Sequence, residues 1–479
     1  MAPSSIAVVG AGPVGCLTAI GLAKRGFDVS LYESRTESSF QDVSTTAQRS
    51  INLALSVRGI TALRVIGDDG NDEESMAGRV LAEAVPMSAR MIHANRDGRV
   101  TLDRQPYSTK GEVRRALTQC IYSFERAKLN LMLLEQAAKQ PNVQIFFQHT
   151  LVHVHRARDD SSVELAFQVP DRSGHAKASH ALVAACDGMH SVVRTKISPS
   201  ARISTMHEYI DSGYIELRVP AGPTTSPASS WQMSVSCLHI WPRHDYMLIA
   251  LPNVDGSFTS TLFAPFALFD EHLCDAQKAL AFFRANFPDA LDVMDEKELV
   301  ENLTTRAPSP LGSVQCSTLN AGASVVLLGD SAHAMVPFYG QGLNCGLEDV
   351  RIFLEELDTA LSAHPKLVQA KGPALHAYSA RRRADVRAIQ LLAQENYTEM
   401  RSKVVRRGYL WRKWLDTVLS RTLLRGRWKS LYEMVTFSNM GYAMARSIEL
   451  RQQRMLKNVG SVMTVGLVWG ASWFLYCLF

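Results

Sequence analysis

The chain has 479 residues, about twice the length at which a single hydrophobic core usually stops growing, so more than one folded unit is expected. Its 46% hydrophobic and 20% charged residues exclude an intrinsically disordered protein. The formal net charge of +5 is uneven, because residues 400–457 contain 14 Lys or Arg and only 3 Asp or Glu. This basic block precedes an uncharged apolar tail, which favours a membrane surface over nucleic acid as a partner.

The eight cysteines form no CxxC pair, and no histidine cluster accompanies them. We therefore expect neither a disulfide framework nor a metal site, and this cysteine usage favours a reducing compartment. The first apolar run, residues 6–10, is short, enters a glycine-rich turn and lacks the basic region and cleavage site of a signal peptide. The sequence thus predicts a body that folds in the cytosol or faces it.

A strand–turn–helix unit is predicted at the N-terminus. A GxGxxG motif with Gly10, Gly12 and Gly15 lies between a short β-rich run, residues 6–9, and a stretch with helical apolar spacing, residues 16–25. Gly10 permits a tight turn, Gly12 lets the backbone approach a pyrophosphate, and Gly15 lets the helix pack close to the strand. The pyrophosphate then lies at the positive end of the helix, so the pattern predicts a dinucleotide site.

Glu33 follows the second predicted strand, residues 29–32. Its carboxylate can accept hydrogen bonds from both ribose hydroxyls and would repel a 2′-phosphate, so the site is expected to hold FAD or NAD rather than NADP. Val14, inside the motif, is expected at the same site. Arg35 is placed to reach the adenine face, with a solvated loop residue as the alternative. For the whole motif, the alternative is a tight turn without a nucleotide.

Two further aspartates follow predicted strands and favour FAD over NAD. Asp187 begins an Asp–Gly pair after the strand at 181–185, and Asp330 ends a Gly–Asp pair after the strand at 324–328. An aspartate at a strand end can accept hydrogen bonds from the ribityl hydroxyls of a flavin. A glycine-rich turn then presents backbone N–H groups to the isoalloxazine carbonyls, and its predicted contacts are Gly342, Leu343 and Asn344.

The three motifs, in this order and at these separations, resemble those of the class A aromatic-ring flavoprotein monooxygenases. That family couples a Rossmann-like FAD-binding domain to a mixed-sheet substrate domain and uses NAD(P)H without a separate nicotinamide domain. Consistent with this, the sequence has no second GxGxxG motif. Further segments resemble the kynurenine 3-monooxygenase family over essentially the whole chain; they are residues 51–59, 89–93, 106–107, 121–126, 129–130, 394–401 and 431–438.

The resemblance implies an NADPH- and O2-dependent FAD monooxygenase of tryptophan degradation and de novo NAD biosynthesis. Its reaction would hydroxylate L-kynurenine to 3-hydroxykynurenine through a flavin C4a-hydroperoxide, with FAD as the bound cofactor and NADPH as a transient co-substrate. No side chain is expected to be catalytic, because the flavin carries the chemistry. One alternative is a related class A hydroxylase or epoxidase that acts on a lipophilic substrate delivered from a membrane. Another is a non-catalytic FAD-binding membrane protein.

The predicted substrate carries a carboxylate and an aminophenyl ketone. Arg90 offers a planar fork of donors for the carboxylate, with a structural salt bridge as the alternative, and Tyr107 can add a hydroxyl donor. By resemblance Tyr432 lines the same polar end of the site, with core packing as its alternative role. By resemblance the other substrate contacts are Phe338, Tyr339 and Asn396, and the other cofactor contacts are Arg58 and Arg126.

These patterns predict an α/β fold with four parts. Together with the resemblance, they imply a discontinuous Rossmann-like FAD-binding domain interleaved with a mixed-sheet substrate domain like that of para-hydroxybenzoate hydroxylase, followed by a C-terminal helical region and a C-terminal transmembrane helix. The predicted boundaries are 1–80, 110–200 and 300–375 for the FAD-binding domain, 81–109 and 201–299 for the substrate domain, 376–457 for the helical region, and 458–479 for the membrane anchor.

The transmembrane prediction rests on the tail. Residues 459–479 carry no charge, and a helix of this length reaches about 30 Å, enough to cross a hydrocarbon core. Basic residues just before the tail would keep the body on the cytosolic side. The resemblance implies the mitochondrial outer membrane. The alternative is a monotopic or buried helix, and the tryptophan-rich segment 409–429 either lies on the membrane surface or caps the substrate site.

Overall fold

The structure, a computed structural model, describes residues 5–41, 52–67, 75–96, 99–107, 120–170, 174–223, 231–398, 428–456 and 458. Strands and helices alternate through the first half of this part of the chain, and helices dominate its last quarter. The strands are, in chain order, β1 (Ile6–Val9), β2 (Val29–Tyr32), β3 (Leu53–Leu55), β4 (Val85–Met87), β5 (Ala89–Arg96), β6 (Arg99–Pro106), β7 (Ile121–Phe124), β8 (Val143–Phe146), β9 (Thr150–Arg156), β10 (Val163–Gln168), β11 (His175–His180), β12 (Leu182–Ala185), β13 (Thr205–Val219), β14 (Cys237–Arg243), β15 (Tyr246–Pro252), β16 (Phe258–Ala264), β17 (Ser309–Cys316), β18 (Asn320–Ala321) and β19 (Val325–Leu327).

The helices range in length from single turns to the 32 residues of α13. A π-helical turn (Phe269–Leu273) and a 3-10 turn (Pro337–Tyr339) also occur. The helices are, in chain order, α1 (Pro13–Ala23), α2 (Ser38–Gln41), α3 (Val57–Gly67), α4 (Met76–Ala82), α5 (Arg126–Ala138), α6 (Val192–Ala201), α7 (Phe266–Leu268), α8 (Ala276–Asn286), α9 (Pro288–Leu291), α10 (Glu296–Thr305), α11 (Asp330–His333), α12 (Gly342–Ala363), α13 (Leu367–Thr398), α14 (Leu431–Thr436) and α15 (442–456).

The first large sheet is mainly parallel and has the strand order β18–β19–β12–β1–β2–β8. Only β18 and β19 run antiparallel to each other. Strands β1 and β12 are buried along their whole length, as their unbroken apolar runs require in a sheet that is covered on both faces. Helix α1 packs against α5 and α12 beside this sheet. This half has the predicted Rossmann-like arrangement.

The second large sheet is mixed and has the strand order β17–β13–β16–β15–β14–β5–β6. All neighbours are antiparallel except β14 and β5, which run parallel. Strand β17 joins this sheet although it lies in the range predicted for the FAD-binding domain. Two small antiparallel sheets, β11–β10–β9 and β3–β7–β4, complete the architecture. The exact domain boundaries stay a prediction.

Each half has its own large apolar core. One surrounds the first sheet and its helices, and the other lies between the second sheet and helices α8 to α10. Two smaller clusters lie where the halves meet, and they include Ile240, Phe338, Met87 and Phe437. The functional cavity lies beside these smaller clusters, because side chains of both clusters also line it.

The prediction of a C-terminal transmembrane helix is corrected by the structure. Across the described ranges, no helix combines the length and the apolar composition that crossing a membrane requires. Helix α15, which precedes the predicted anchor, still carries charged residues such as Arg451 and Arg454. Residues 459–479, on which the prediction rested, lie outside the described part of the chain, as does most of 409–429. The predicted mitochondrial location stays a prediction.

A buried polar relay ties the second sheet to α9. His93 on β5 contacts the carboxylate of Asp289 through Nδ1 at 2.5 Å and Nδ1 of His239 through Nε2 at 2.8 Å. Trp241 donates its indole N–H to the same carboxylate at 2.9 Å. Burial alone would raise the pKa of Asp289, but the hydrogen bonds from His93 and Trp241 lower it below its ordinary value. Burial lowers the pKa of His239 to about 4, so that ring is neutral at physiological pH.

Replacing the shared carboxylate should destabilise the second sheet in a pH-dependent way. Asp289→Asn is expected to lower the free energy of unfolding by about 2 kcal/mol at neutral pH, because hydrogen bonds to an ionised group are lost. The folded-state pKa is depressed, so this contribution is fully present above about pH 5 and is lost as the pH falls through that pKa. Urea unfolding followed by tryptophan fluorescence should show a difference from wild type that shrinks below about pH 4.

Asp292→Asn, at an exposed position three residues further on, is the matched control and should change neither stability nor its pH dependence. A difference between wild type and Asp289→Asn that stays constant into the acid range would show that the carboxylate does not stabilise the relay.

Candidate active site

A cavity of about 980 Å³ is lined by residues of the second large sheet, of segments that follow strands of the first, of the small sheet around β7, and of α13 to α15. Among its lining residues, Gly12, Cys186 and Leu328 come shortly after β1, β12 and β19. Ligands of open α/β sheets bind at the carboxyl ends of parallel strands, so this region is the expected nucleotide side. Strands β14, β15 and β16 supply an apolar wall of the same cavity.

The glycine turn has three different spatial demands. A Cβ on Gly15 would lie 1.9 Å from the carbonyl oxygen of Gly10, so only glycine lets α1 start this close to the turn. Gly10 has φ +98°, and a Cβ there would lie 2.5 Å from the carbonyl oxygen of Cys186. At Gly12, by contrast, a Cβ would meet no atom of the described residues within 4 Å. Open space lies where a pyrophosphate is expected at the start of α1.

Glu33 lies at the end of β2 with its carboxylate fixed beside the glycine turn. It accepts hydrogen bonds from the backbone N–H of Ala11 and of Arg35, each at 2.9 Å. The Arg35 guanidinium pairs with it at 2.9 Å and lies over the ring of Phe40. Burial acts to raise the pKa of Glu33, but the contacts from Arg35 outweigh it, and the pKa lies below its ordinary value. The carboxylate is therefore charged at neutral pH.

The Gly–Asp segment meets the glycine turn directly. Gly329 has φ +61°, and a Cβ there would lie 3.1 Å from the side chain of Val14. The next residue, Asp330, begins α11, is exposed and lines the cavity. The first turn of α12 also lines it, with Gly342, Leu343 and Asn344. The first and third predicted motifs thus meet at one wall of the cavity.

The side chain of Asn344 connects the start of α12 to β3 and to the start of α3. Its Oδ1 accepts from the backbone N–H of Ser56 at 2.8 Å, and its Nδ2 donates to the carbonyls of Ala54 and Gly340 at 2.8 and 2.9 Å. Gly59 is needed opposite it, because a Cβ there would lie 2.6 Å from Oδ1. Asn344 therefore fixes the start of α12 with its side chain and also lines the cavity.

Two of the predicted cofactor contacts, Asp187 and Arg58, do not present their charged groups to the cavity. The carboxylate of Asp187 accepts from the hydroxyl of Ser191 at 2.6 Å and from the backbone N–H of Val193 at 3.0 Å, so it holds the start of α6. Arg58 is completely buried, pairs with Glu348 at 2.8 Å and lies over the ring of Tyr442. Neither residue lines the cavity, whereas Arg126, the first residue of α5, does.

Arg90 and two tyrosines form a polar region on the cavity wall. Arg90, on β5, donates through Nε to Oε1 of Gln105 at 2.9 Å and lines the cavity. The rings of Tyr107 and Tyr432 stack with their centroids 5.3 Å apart. Burial raises the pKa of the Tyr107 hydroxyl well above its ordinary value, while the charge of Arg90 acts in the opposite direction. Burial also raises the pKa of Tyr432, so both tyrosines are neutral donors beside a cation, an arrangement that suits a carboxylate.

Aromatic side chains form the neighbouring wall. Phe338 is buried, stacks on Tyr397 at 4.1 Å between centroids and meets Phe263 edge-on at 5.1 Å. Its carbonyl accepts from Nδ2 of Asn396 at 2.7 Å. Tyr339 follows in the same 3-10 turn and stacks loosely on Tyr432, at 6.1 Å. The structure thus brings all six predicted substrate contacts to one cavity, although their roles toward a substrate stay predictions.

Sequence reasoning missed several residues of this site. Gln105 contacts Arg90 because the two are directly opposite in the antiparallel pair of β5 and β6. Tyr397 supports Phe338 across a separation that no local pattern indicates. The signal available for Gln105 was its place two residues before Tyr107 in an alternating strand. Such spacing places two side chains on the same face but does not identify their partner strand.

Comparison with known proteins agrees with this geometry. The family model described as FAD binding domain matches residues 4–392. Curated relatives named kynurenine 3-monooxygenase include those of Candida albicans, at 40% identity over 97% of this chain and 96% of the relative, and of Mycosarcoma maydis, at 38% identity over 95% and 90%. The Caenorhabditis elegans relative of the same name is 36% identical over 95% and 94%.

Solved structures show the same fold at low sequence identity. p-Nitrophenol 4-monooxygenase PnpA of Pseudomonas putida has a TM-score of 0.63 and 18% identity, over 94% of this chain and 98% of that one. PqsL of P. aeruginosa, solved with 2-aminobenzoylacetate, has a TM-score of 0.62 and 19% identity, over 85% and 99%. Fold, cavity and family match together define an FAD-dependent flavoprotein monooxygenase. The chain belongs to the kynurenine 3-monooxygenase family, as predicted, and the predicted FAD cofactor is confirmed.

The residues present fit FAD. Space opens at Gly12, Glu33 is anionic at the end of β2 where a ribose is expected, and Asp330 presents an exposed carboxylate inside the cavity. The backbone of Gly342 and Leu343, at the start of α12, would hold the isoalloxazine end.

A methyl group at Gly12 should weaken cofactor binding without affecting the stability of the fold. Gly12→Ala is expected to leave the stability of the FAD-free protein unchanged and to weaken FAD binding at least about tenfold, because the new Cβ enters only the pyrophosphate space. Gly15→Ala is the contrasting variant, and its clash with Gly10 should lower stability as well. FAD titration by fluorescence quenching and thermal unfolding of the FAD-free protein measure the two effects. Unchanged FAD affinity in Gly12→Ala would exclude this binding position.

Proposed function

We propose that this protein hydroxylates L-kynurenine to 3-hydroxykynurenine with NADPH and O2, as the name of its curated relatives implies. The observation that carries the proposal is the placement of a cation and two neutral tyrosine hydroxyls beside an aromatic wall in the cavity that would hold the flavin. Kynurenine has the matching groups, because it joins an amino acid carboxylate to an aminophenyl ketone.

The side chains orient the substrate and keep water from the ring. Arg90 would bind the carboxylate by charge-assisted hydrogen bonds, with Tyr107 and Tyr432 as further donors. Phe338 and the apolar side chains of β14 and β15 would pack on the ring and exclude water. FAD, when bound, supplies the redox chemistry, which is the transfer of electrons from NADPH to O2 and of one oxygen atom to the ring. The substrate amino group makes the ring electron-rich and favours this attack.

The proposal predicts tight coupling of NADPH consumption to kynurenine. Oxidation of NADPH by the FAD-loaded protein should be slow without kynurenine and rise at least about tenfold with it, if the substrate gates reduction of FAD. Without such gating, an unoccupied site would consume NADPH and release peroxide. Absorbance of NADPH and chromatographic detection of 3-hydroxykynurenine measure the rate and the product. Equal rates with and without kynurenine, or stimulation only by apolar lipids, would contradict the proposed substrate.

Truncation of the arginine should affect substrate binding more than cofactor binding. Arg90→Ala is expected to raise the KM for kynurenine about thirtyfold or more, because truncating one member of a buried charge pair costs roughly 2–5 kcal/mol. FAD content should stay near that of wild type. Arg104→Ala is the matched control, since Arg104 is exposed on β6 and does not line the cavity. A near-wild-type KM in Arg90→Ala would show that Arg90 does not bind the carboxylate.

A further inference from the structure

Arg90 is held by a second polar side chain on the neighbouring strand. Gln105 lies directly opposite Arg90 in the pairing of β5 and β6, and its side chain is buried at 7% exposure. Oε1 of Gln105 accepts from Nε of Arg90 at 2.9 Å. On its other side, Nε2 of Gln105 donates to Oδ2 of Asp103 at 2.7 Å. The three side chains therefore form one chain of hydrogen bonds that runs from an exposed carboxylate to the cavity wall.

The chemistry of Asp103 fixes which way the amide points. An ionised carboxylate can only accept hydrogen bonds, so the NH2 group of Gln105 must face Asp103. The amide oxygen must then face Arg90, whose guanidinium can only donate. A hydrogen bond at Nε restrains rotation of the planar guanidinium, so Gln105 helps to set the direction of its remaining N–H groups.

We propose that Gln105, oriented by Asp103, is a positioning residue that aligns the Arg90 guanidinium with the carboxylate of the substrate. This inference rests on the proposed function, because it assigns the same cavity region to an amino acid carboxylate. Gln105 does not take part in electron or oxygen transfer. Its effect should therefore appear in the binding of carboxylate-bearing ligands and not in the binding of the same ring without a carboxylate.

The test measures equilibrium binding to the FAD-loaded protein by perturbation of the flavin absorbance. The ligands are kynurenine and its amine analogue that lacks the carboxylate. Gln105→Leu should weaken kynurenine binding about tenfold, the factor that corresponds to the loss of one charge-assisted hydrogen bond. Binding of the carboxylate-free analogue should change less than about twofold. In an Arg90→Ala background the same substitution should have no further effect on kynurenine, because the group that Gln105 aligns is gone.

Asp103→Asn tests the orientation step without touching the buried site. Asp103 is exposed and does not line the cavity, so this variant should fold normally. A neutral asparagine accepts a weaker hydrogen bond from Nε2 of Gln105 than a carboxylate does, so the amide is held less firmly against Arg90, and kynurenine binding should weaken about threefold. Gln315→Leu, on β17 and away from the cavity, is the matched control and should bind both ligands as wild type does.

The outcomes separate two failures. If wild-type protein binds kynurenine but Gln105→Leu and Asp103→Asn bind it equally well, the positioning role is wrong while the proposed function stands. If both variants weaken the two ligands alike, Gln105 supports the site only structurally and the inference is again overturned. If the wild-type protein does not bind kynurenine at all, the proposed function fails and this inference fails with it.

Discussion

The flavin side of the molecule depends on one buried network of opposite charges. Arg382 of α13 pairs with Asp349 at 2.8 Å and with Glu348 at 2.9 Å, and Glu348 also pairs with Arg58 of α3. All four are nearly or completely buried. Asp349 in turn contacts His333 at 2.5 Å and accepts from the backbone N–H of Gly329. Removing one partner would leave a buried charge without compensation, at a cost of about 3–5 kcal/mol.

This network connects parts of the chain that are far apart in sequence but must meet at the cofactor. It fixes the Gly–Asp turn against the start of α12, and Arg58 extends it to the C-terminal helices through the carbonyl of Val435 at 2.9 Å. Helix α14, which contains Val435, also carries Tyr432 to the substrate side of the cavity. The Gly–Asp turn on the cofactor side and helix α14 on the substrate side are therefore held by the same buried charges. This explains why the guanidinium of Arg58 faces the network and not the cavity.

Local chemistry made part of this site predictable from sequence. Gly10 and Gly15 have no room for a side chain, and Glu33 follows a strand that its own apolar residues specify, so a short pattern sufficed. The direction of Arg58 was not predictable, because its partners Glu348 and Val435 are distant in sequence. Asp187 contacts Ser191 and Val193 of the following helix instead, a local role that the Asp–Gly pattern does not distinguish from cofactor binding. Gln105 was missed because its role exists only once β5 and β6 pair in their register. The transmembrane helix was inferred from the hydrophobicity and length of the tail and from the basic residues before it, and no helix within the described ranges has the length and apolar composition to cross a membrane.

The central claim is that this cavity holds FAD and a kynurenine-like substrate together, so that one oxygen atom of O2 reaches the aromatic ring. The most direct measurement supplies isotope-labelled O2 to the FAD-loaded protein with NADPH and kynurenine and examines the product by mass spectrometry. We expect one labelled oxygen atom in 3-hydroxykynurenine for each NADPH consumed. Labelled hydrogen peroxide without labelled product, or a hydroxyl oxygen that derives from water, would contradict the claim.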